Sequence, residues 1–315
     1  MLTTLLKRSF TSSTHIKPRV TQLLINGKFV NSASGQTFDT FNPATEEKIA
    51  SVQEAGAEDV DRAVKAARKA FDEGPWRRMA ASERGKLLCK LADLIDKNVE
   101  ELGYLEALDN GKPEMIATQG DVPFCAMTLR YYAGWADKIH GKTIPVNGPY
   151  FAYTKEEPVG VCGQIIPWNY PTVMAGLKLG PALATGCTLV LKPAEDTPLT
   201  ALRIGELALE AGFPDGVINI LPGLGSTAGQ ALVQHPLVDK IAFTGSTEVG
   251  YSIMRNSHKD NLKRITLELG GKSPNIVMDD ADIDQALQLS AIASYFNAGQ
   301  ICISGSRLYE NWKSI

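Results

Sequence analysis

The chain has 315 residues, of which 44% are hydrophobic and 21% charged, and its formal net charge is −3. This length corresponds to about two globular domains with a large buried core, and the composition excludes fibrous and low-complexity proteins. The uncharged stretch 158–177 contains three Pro and three Gly, so we do not expect it to form a membrane-spanning helix. The slight acidic excess predicts no nucleic-acid partner.

The cysteines and histidines are scattered, and no two cysteines have the Cys-x-x-Cys spacing of zinc or redox sites. They are Cys89, Cys125, Cys162, Cys187, Cys302, His15, His140, His235 and His258. This distribution predicts no metal site and no disulfide framework, and it is typical of thiols that stay reduced. At most one cysteine is expected to have a special role.

The N-terminal segment has an unusual composition. Residues 1–38 contain no Asp or Glu, and the first 20 contain Lys7, Arg8, Lys17 and Arg19 among many Ser and Thr. A basic, hydroxyl-rich and acid-free segment is typical of a mitochondrial transit peptide. We therefore predict a transit peptide over residues 1–20 and a location in the mitochondrial matrix. The alternative is a disordered tail on a cytoplasmic protein.

Two β-hairpins are predicted in the first half of the chain. The first covers 23–29, where Asn26–Gly27 has the sequence of a type I′ turn. The second covers 141–158 and turns around Asn147–Gly148.

Three helices are predicted between these hairpins. The first begins near Ala57 and the second includes 87–95, because apolar residues recur at helical spacing in both. The third begins at Asn98, which together with Glu101 has the spacing of a capping box.

Beyond residue 158, short apolar strands alternate with helices. The predicted strands are Val159–Ile166, Thr188–Leu191, Val217–Leu221, Lys240–Phe243, Arg264–Leu269 and Asn275–Met278. The predicted helices are Thr172–Ala184, Thr197–Ala211, Ser226–Gln234, Ser246–Arg255 and one that begins near Asp282. This alternation predicts an α/β fold with a doubly wound, mostly parallel, Rossmann-like sheet covered by helices on both faces. The last strand and helix would begin a second α/β domain.

Simple nucleotide-binding fingerprints do not fit. The glycines of 223–229 are one residue too far apart for G-x-G-x-x-G, and the segment ending in Gly271-Lys272-Ser273 has Thr266 where a P-loop requires its first Gly. The segment 243–250 fits better, because a strand ends there and a helix begins, as a pyrophosphate site requires. An ordinary turn with Ser246 as the N-cap explains it equally well.

Three segments at strand ends and one near the end of the chain are informative as a set. They are 165–171 (IIPWNYP), 191–195 (LKPAE), 267–272 (LELGGK) and 296–307 (FNAGQICISGSR). In order and spacing they resemble the aldehyde dehydrogenase superfamily over about residues 20–310. The resemblance implies NAD-dependent oxidation of an aldehyde to a carboxylic acid, through a cysteine thiohemiacetal and a thioester.

The resemblance implies roles for three catalytic residues. Cys302 matches the nucleophile, Asn169 the side-chain donor to the oxyanion, and Glu268 the general base that activates water. The other four cysteines are expected to be buried, inert thiols.

The resemblance also implies an NAD site and no metal. Lys192 and Glu195 match the contacts to the adenosine ribose, and the Glu195 carboxylate would repel the 2′-phosphate of NADP. The other matching positions, some of which would also be plain core residues, are Ile165, Ile166, Pro167, Trp168, Gly225, Phe243, Gly245, Ser246, Val249, Leu269 and Gly270.

The predicted domain organisation follows from the same resemblance. Residues 21–140 and 159–270 would form the NAD-binding domain, 141–158 an oligomerisation hairpin, and 271–315 an incomplete catalytic domain. Members of the family extend well beyond the nucleophile and form homo-oligomers, so the chain is interpreted as a truncated member whose own oligomer is left open. Two alternatives are an inactive nucleotide-binding fragment and a structural subunit that joins longer paralogues through 141–158.

Residues 21–315 are expected to show little or no dehydrogenase activity and to be poorly soluble. The helix from Asp282 carries Ile283, Ala286, Leu287, Leu289 and Ile292, an apolar surface suited to packing against further elements. Because exposed apolar area costs about 25 cal/mol per Å², a few hundred Å² would amount to several kcal/mol. NADH formation and light scattering test the two halves of this expectation. A monodisperse preparation that turns over at a rate ordinary for the family would contradict it.

Overall fold

The computed structural model describes residues 18–257 and 261–310, so most of the proposed transit peptide lies outside the described residues. Of its last three residues, Arg19 forms an ion pair with Glu101 at 3.0 Å and Val20 packs against the core. Among the described residues, no helix has the length and hydropathy needed to cross a membrane.

The described segments form a mixed α/β structure. Its strands are β1 (Leu23–Ile25), β2 (Lys28–Val30), β3 (Thr37–Phe41), β4 (Lys48–Gln53), β5 (Thr143–Ile144), β6 (Ala152–Tyr153), β7 (Val161–Ile165), β8 (Thr188–Lys192), β9 (Ile218–Ile220), β10 (Lys240–Gly245), β11 (Arg264–Leu269), β12 (Pro274–Val277) and β13 (Arg307–Glu310). Its helices are α1 (Ala57–Asp72), α2 (Pro75–Arg78), α3 (Ala81–Lys97), α4 (Val99–Asn110), α5 (Glu114–Ile116), α6 (Val122–Trp135), α7 (Pro171–Ala184), α8 (Leu199–Ala211), α9 (Gln230–Gln234), α10 (Thr247–Asn256) and α11 (Ile283–Tyr295). Short π-helical segments, Ala117–Asp121 and Gly225–Gly229, precede α6 and α9, and a 3₁₀ segment, Phe296–Gly299, follows α11.

The central sheet has seven strands in the order β11-β10-β7-β8-β9-β1-β2. The first five are parallel, and the antiparallel pair β1–β2 extends the edge beyond β9. The chain moves from β7 outward to β8 and β9, then returns to the other side of β7 for β10 and β11. This reversal is the topological switch point of a doubly wound sheet and confirms the predicted fold class.

Two hydrophobic cores lie on opposite faces of the sheet. In β8, Leu189 and Leu191 belong to the core formed with α3, α6, α7 and α8, whereas Val190 belongs to the core formed with α1, α9 and α10. Because successive strand residues point to opposite faces, a strand buried on both sides has a continuously apolar centre, as Leu189–Leu191 of β8 shows.

The first hairpin has the predicted turn. Asn26 and Gly27 have φ angles of 51° and 73°, and a type I′ turn requires positive φ at both positions. A Cβ atom on Gly27 would lie 2.0 Å from Oδ1 of Asp215, so the turn has no room for a side chain there. The second hairpin is formed by β5 and β6, which pair antiparallel within the predicted 141–158 segment.

The predicted capping box at the start of α4 is wrong. The Asn98 side chain makes no cap hydrogen bond; its Nδ2 donates to Leu94 O at 2.8 Å and its Oδ1 accepts from Arg203 at 3.1 Å. Glu101 also binds Arg203, at 2.9 Å. The buried guanidinium of Arg203 on α8 thus binds both side chains that were predicted from the sequence to cap the N-terminus of α4.

Asp109 in α4 has a buried carboxyl group that joins α4 to two other segments. Its Oδ1 accepts a hydrogen bond from Thr40 Oγ1 at 2.7 Å, and its Oδ2 accepts one from Leu199 N–H at 2.9 Å. Burial raises the pKa of Asp109 to about 7, although these hydrogen bonds act in the opposite direction. The native state therefore keeps a proton on Asp109 at pH values where an Asp with a pKa of 3.8 in the unfolded chain has released it.

Asp109→Asn should gain stability relative to the parent as the pH rises. Between about pH 4 and about pH 7 the native parent binds more protons than its unfolded state, so its free energy of unfolding falls, while the neutral amide is unaffected. A difference of about 2–4 kcal/mol is expected across this range. Urea unfolding near both pH limits measures it, with exposed Asp280→Asn as the control. A difference that does not change with pH would contradict a neutral buried carboxyl.

Candidate active site at the carboxyl ends of the parallel strands

A cleft of about 1140 Å³ opens at the carboxyl ends of β7, β8 and β10. The loops after β7 and β8 and the helix after β10 leave the sheet at the switch point, which creates the space between them. The predicted site residues that line the cleft are Ile165, Ile166, Pro167, Trp168, Asn169, Lys192, Glu195, Gly225, Phe243, Gly245, Ser246, Val249, Gly270 and Cys302. Residues separated by up to 137 positions are thus brought together.

Glu268 and Leu269 are the predicted site residues that do not line this cleft. Both lie at the end of edge strand β11, where Ile265, Leu267 and Leu269 pack toward α10 and the alternate residues are exposed. Glu268 therefore points to the other, solvent-exposed face of the sheet. It nevertheless interacts with Lys178 on α7. Burial lowers the pKa of Lys178, and the negative charge of Glu268 offsets part of this effect.

Lys192 and Glu195 form an ion pair on one wall of the cleft. The buried Lys192 Nζ lies 3.0 Å from Glu195 Oε2 and donates to Pro193 O at 2.8 Å. Glu195 Oε1 accepts a hydrogen bond from Gly225 N–H at 3.4 Å. Burial raises the pKa of Glu195, but the Lys192 charge and the hydrogen bonds outweigh it, so the pKa lies below its ordinary value. The carboxylate is therefore ionised at neutral pH and can accept hydrogen bonds from hydroxyl groups.

The N-terminus of α10 forms the opposite wall. Ser246 caps the helix by accepting a hydrogen bond from Val249 N–H at 3.3 Å, as the sequence predicted for an ordinary turn. Ser246, Thr247 and Val249 also line the cleft, so the positive end of the ten-residue helix adjoins it. A Cβ on Gly245 would lie 2.4 Å from the Phe243 ring, which explains the glycine there. Thr244 Oγ1 is buried without a hydrogen-bond partner, and the residue lines the cleft.

Two loops meet at Cys302. Asn169 Nδ2 donates to Gln300 O at 2.9 Å, while Asn297 Nδ2 donates to the same carbonyl at 3.2 Å and to Asn169 O at 3.3 Å. Cys302 is half-buried, and its carbonyl oxygen lies 3.7 Å from where a Cβ on Gly271 would be. The loop after β7 and the loop carrying the cysteine are therefore joined by side-chain amides.

The backbone before Cys302 is strained. Asn297 and Ala298 have φ angles of 51° and 57°, in the left-handed region that residues other than Gly and Asn rarely adopt. Asn297 and Gln300 lie in the 296–307 motif and Thr244 lies in the 243–250 segment, but the sequence predicted no role for them. Their presence in or beside the matched motifs was the available signal.

The other cysteines differ in burial. Cys125, Cys162 and Cys187 are buried, as expected, and burial raises the pKa of Cys125 to about 12. Cys89 is exposed, so the expectation of burial was wrong for this residue. It lies on the outer side of α3, whose inner side packs into the core. No group of three or more His, Cys, Asp or Glu side chains within 18–257 and 261–310 could hold a metal ion.

Comparisons with known proteins identify the family. The model of the aldehyde dehydrogenase family matches residues 29–311. The human protein "Aldehyde dehydrogenase, mitochondrial" is 58% identical over 289 residues, which are 91% of this chain and 56% of that protein. "Aldehyde dehydrogenase family 2 member B4, mitochondrial" of Arabidopsis thaliana is 58% identical over 293 residues, 93% of this chain and 54% of that protein.

A solved structure agrees with the sequence relatives. The NAD⁺ complex of an aldehyde dehydrogenase from Bacillus cereus matches with a TM-score of 0.91 and 54% identity, covering 93% of this chain and 60% of that chain. The chain thus spans a little over half the length of these relatives. The strand order, the site motifs and these matches together show that the chain belongs to the aldehyde dehydrogenase family.

Proposed function

We propose that the chain carries the cofactor site and the nucleophile for NAD-dependent oxidation of a small-molecule aldehyde to a carboxylic acid. The observation that supports this most is the meeting of Cys302, Asn169 and the Lys192–Glu195 pair around one cleft. A nucleophile and a hydrogen-bond donor on one side, with an ionised carboxylate on the other, suit a reaction between an aldehyde and a dinucleotide.

The residues of the cleft fit NAD. The Glu195 carboxylate can accept hydrogen bonds from the ribose hydroxyls, and the N-terminus of α10 suits the pyrophosphate. The unpartnered Thr244 hydroxyl is a buried polar group that a ligand in the cleft would satisfy. When bound, NAD accepts the hydride that leaves the substrate carbon.

Cys302 and Asn169 account for the first chemical step. The Cys302 thiolate attacks the aldehyde carbon, a C–S bond forms, and the carbonyl oxygen becomes the alkoxide of a thiohemiacetal. One N–H of the Asn169 amide is held by Gln300 O, which leaves the other for this alkoxide beside the Cys302 N–H. Loss of one such donor typically costs about 2.7–4 kcal/mol in the barrier. Collapse of the alkoxide with loss of hydride leaves a thioester on Cys302.

Glu268 is proposed as the base for hydrolysis of this thioester. Its carboxylate would take a proton from water as the oxygen attacks the thioester carbon, and the C–S bond would break to regenerate the thiolate. Its position at the end of β11, in register with Thr244, supports this role. Its exposure and absence from the cleft lining favour the alternative of an inactive nucleotide-binding fragment.

The structural-subunit alternative draws on the second hairpin. Its exposed aromatic residues, between 67% and 77% of whose surface is accessible, are Tyr150, Phe151 and Tyr153.

For the domains, we propose NAD binding by 21–140 and 159–270, oligomerisation through 141–158, and the start of a catalytic domain from 271. The separate two-stranded sheet of β12 and β13 supports the last boundary.

The composition of 1–20 and the two mitochondrial relatives support a proposed location in the mitochondrial matrix, with the cytoplasm as the second choice.

A single-turnover experiment tests the proposed reaction. With NAD and propanal in excess, we expect slow NADH formation that does not exceed one equivalent per Cys302, because each thiohemiacetal gives up one hydride and the exposed Glu268, outside the cleft lining, would hydrolyse the resulting thioester too slowly for a second turnover. Cys302→Ala should abolish NADH formation, whereas the exposed Cys89→Ala should not change it. Binding of NAD without any NADH would support the nucleotide-binding fragment. NADH formation that persists in Cys302→Ala would contradict the proposed nucleophile.

Glu195 should set the preference for NAD over NADP. An ionised carboxylate repels a 2′-phosphate. Glu195→Ser is therefore expected to lower the ratio of the dissociation constant for NADP to that for NAD by about tenfold, or about 1.4 kcal/mol. Calorimetric titration with both cofactors measures the ratio, with exposed Glu210→Ser as the control. Equal affinities in the parent, or an unchanged ratio in Glu195→Ser, would remove Glu195 from the ribose site.

A further inference from the structure

A cluster of buried charges lies behind the loop that carries Asn169. Lys112, Glu106 and Asp121 are 7%, 0% and 6% exposed, and the proposed chemistry assigns none of them a role. Lys112 Nζ donates to Asp121 Oδ2 and lies 3.6 Å from Glu106 Oε1. Its ammonium group also lies 4.4 Å from the centre of the Tyr170 ring.

The same segment of the chain is bound to the main chain of the loop. Lys112 Nζ donates to Asn169 O at 3.2 Å, and Asn110 Nδ2 donates to Trp168 O at 2.7 Å. Glu106 accepts hydrogen bonds from both the backbone N–H and the hydroxyl of Thr172, the latter at 2.6 Å. Three residues spaced along 106–112 thus hold the loop on both sides of Asn169.

We propose that Lys112 is a positioning residue that fixes Asn169 for stabilisation of the oxyanion. This proposal rests on the role given to Asn169 under the proposed function. Asn169 has only two side-chain torsions, about Cα–Cβ and Cβ–Cγ, so a fixed backbone at this residue restricts where the amide can point. The carboxylates of Asp121 and Glu106 compensate for the burial of the Lys112 charge, which would otherwise be strongly destabilising.

The contacts distinguish this role from simple stabilisation of the fold. An ion pair that only stabilised the fold would need no contact of Lys112 beyond its carboxylate partners. Here the ammonium group uses a further hydrogen bond on the backbone of the residue whose amide faces the nucleophile loop. A donor held in place before the reaction needs no reorganisation when charge develops on the substrate oxygen.

Two reactions of Cys302 separate the two roles without requiring dehydrogenase turnover. In p-nitrophenyl acetate, the thiolate attacks the ester carbonyl, a thioester forms, and p-nitrophenolate leaves after an oxyanion has developed. In iodoacetamide, the thiolate displaces iodide from a saturated carbon, and no oxyanion forms. The ratio of the two rates therefore reports stabilisation of the oxyanion, independent of how much thiolate is present or how accessible it is. All variants carry Cys89→Ser, because Cys89 is exposed.

Lys112→Met is expected to slow acylation about 10- to 100-fold and to change alkylation by less than about threefold, since a small misplacement of a catalytic group costs up to about 100-fold. The double variant Lys112→Met/Asp121→Asn removes the lysine charge together with the aspartate charge that it pairs with. It should slow acylation to a similar extent as Lys112→Met, and it serves as the test if the single variant folds poorly. Asn110→Ala should show a smaller fall in the same ratio. The matched control is Lys263→Met, another buried lysine, which donates to Val233 O and His235 O at the amino end of β11.

Comparison with Asn169→Ala separates failure of this proposal from failure of the proposed function. If Asn169→Ala lowers the ratio, adding Lys112→Met should lower it little further, because both act through the same donor. A ratio unaffected by Asn169→Ala would contradict the oxyanion role itself. A ratio lowered by Asn169→Ala but not by the Lys112 variants, or equal slowing of both reactions, would overturn the positioning role of Lys112.

Discussion

The position of β7 between β8 and β10 is the constraint on which the rest of the site depends. Because the chain leaves β7 on one side and returns on the other, the segments after β7, β8 and β10 diverge and leave a cleft between them. Parallel pairing aligns the carboxyl ends, so each strand contributes its next few residues to the same place. Cleft residues as far apart in sequence as Ile165 and Val249 meet for this reason, whereas the loop carrying Cys302 is joined to them by the amides of Asn169 and Asn297.

Within the cleft, charge is arranged by burial and by specific partners. Lys192 is buried and ion-paired, and its charge helps to hold the pKa of Glu195 below the ordinary value although burial acts in the opposite direction. Behind the loop that carries Asn169, burial raises the pKa values of Glu106 and Asp121, and the neighbouring Lys112 charge offsets only part of this. In both cases a buried lysine pairs with carboxylates beside the cleft or its loops, and the pairing offsets part of the cost of burying each charge.

The edge of the sheet has the opposite character. Strand β11 pairs on one side only, and its alternating residues pack toward α10 on one face while Arg264, Thr266 and Glu268 are exposed on the other. The apolar residues of α11 are likewise exposed, including Leu287 and Ile292. Glu268, the proposed base, lies on the exposed face of β11, so the described residues do not enclose it.

Local features and the order of the elements could be predicted from the amino-acid sequence alone. The Asn26–Gly27 turn, the Ser246 cap and the alternation of apolar strands with helices depend on neighbouring residues, and each was predicted correctly. The motifs also identified most residues of the cleft. Contacts between side chains far apart in sequence depend on the tertiary structure. Arg203 binds Asn98 and Glu101, which the sequence predicted would cap α4, and Lys112 binds the backbone carbonyl of Asn169, 57 positions later. Such pairings depend on how helices pack on the sheet, and no short-range pattern encodes them.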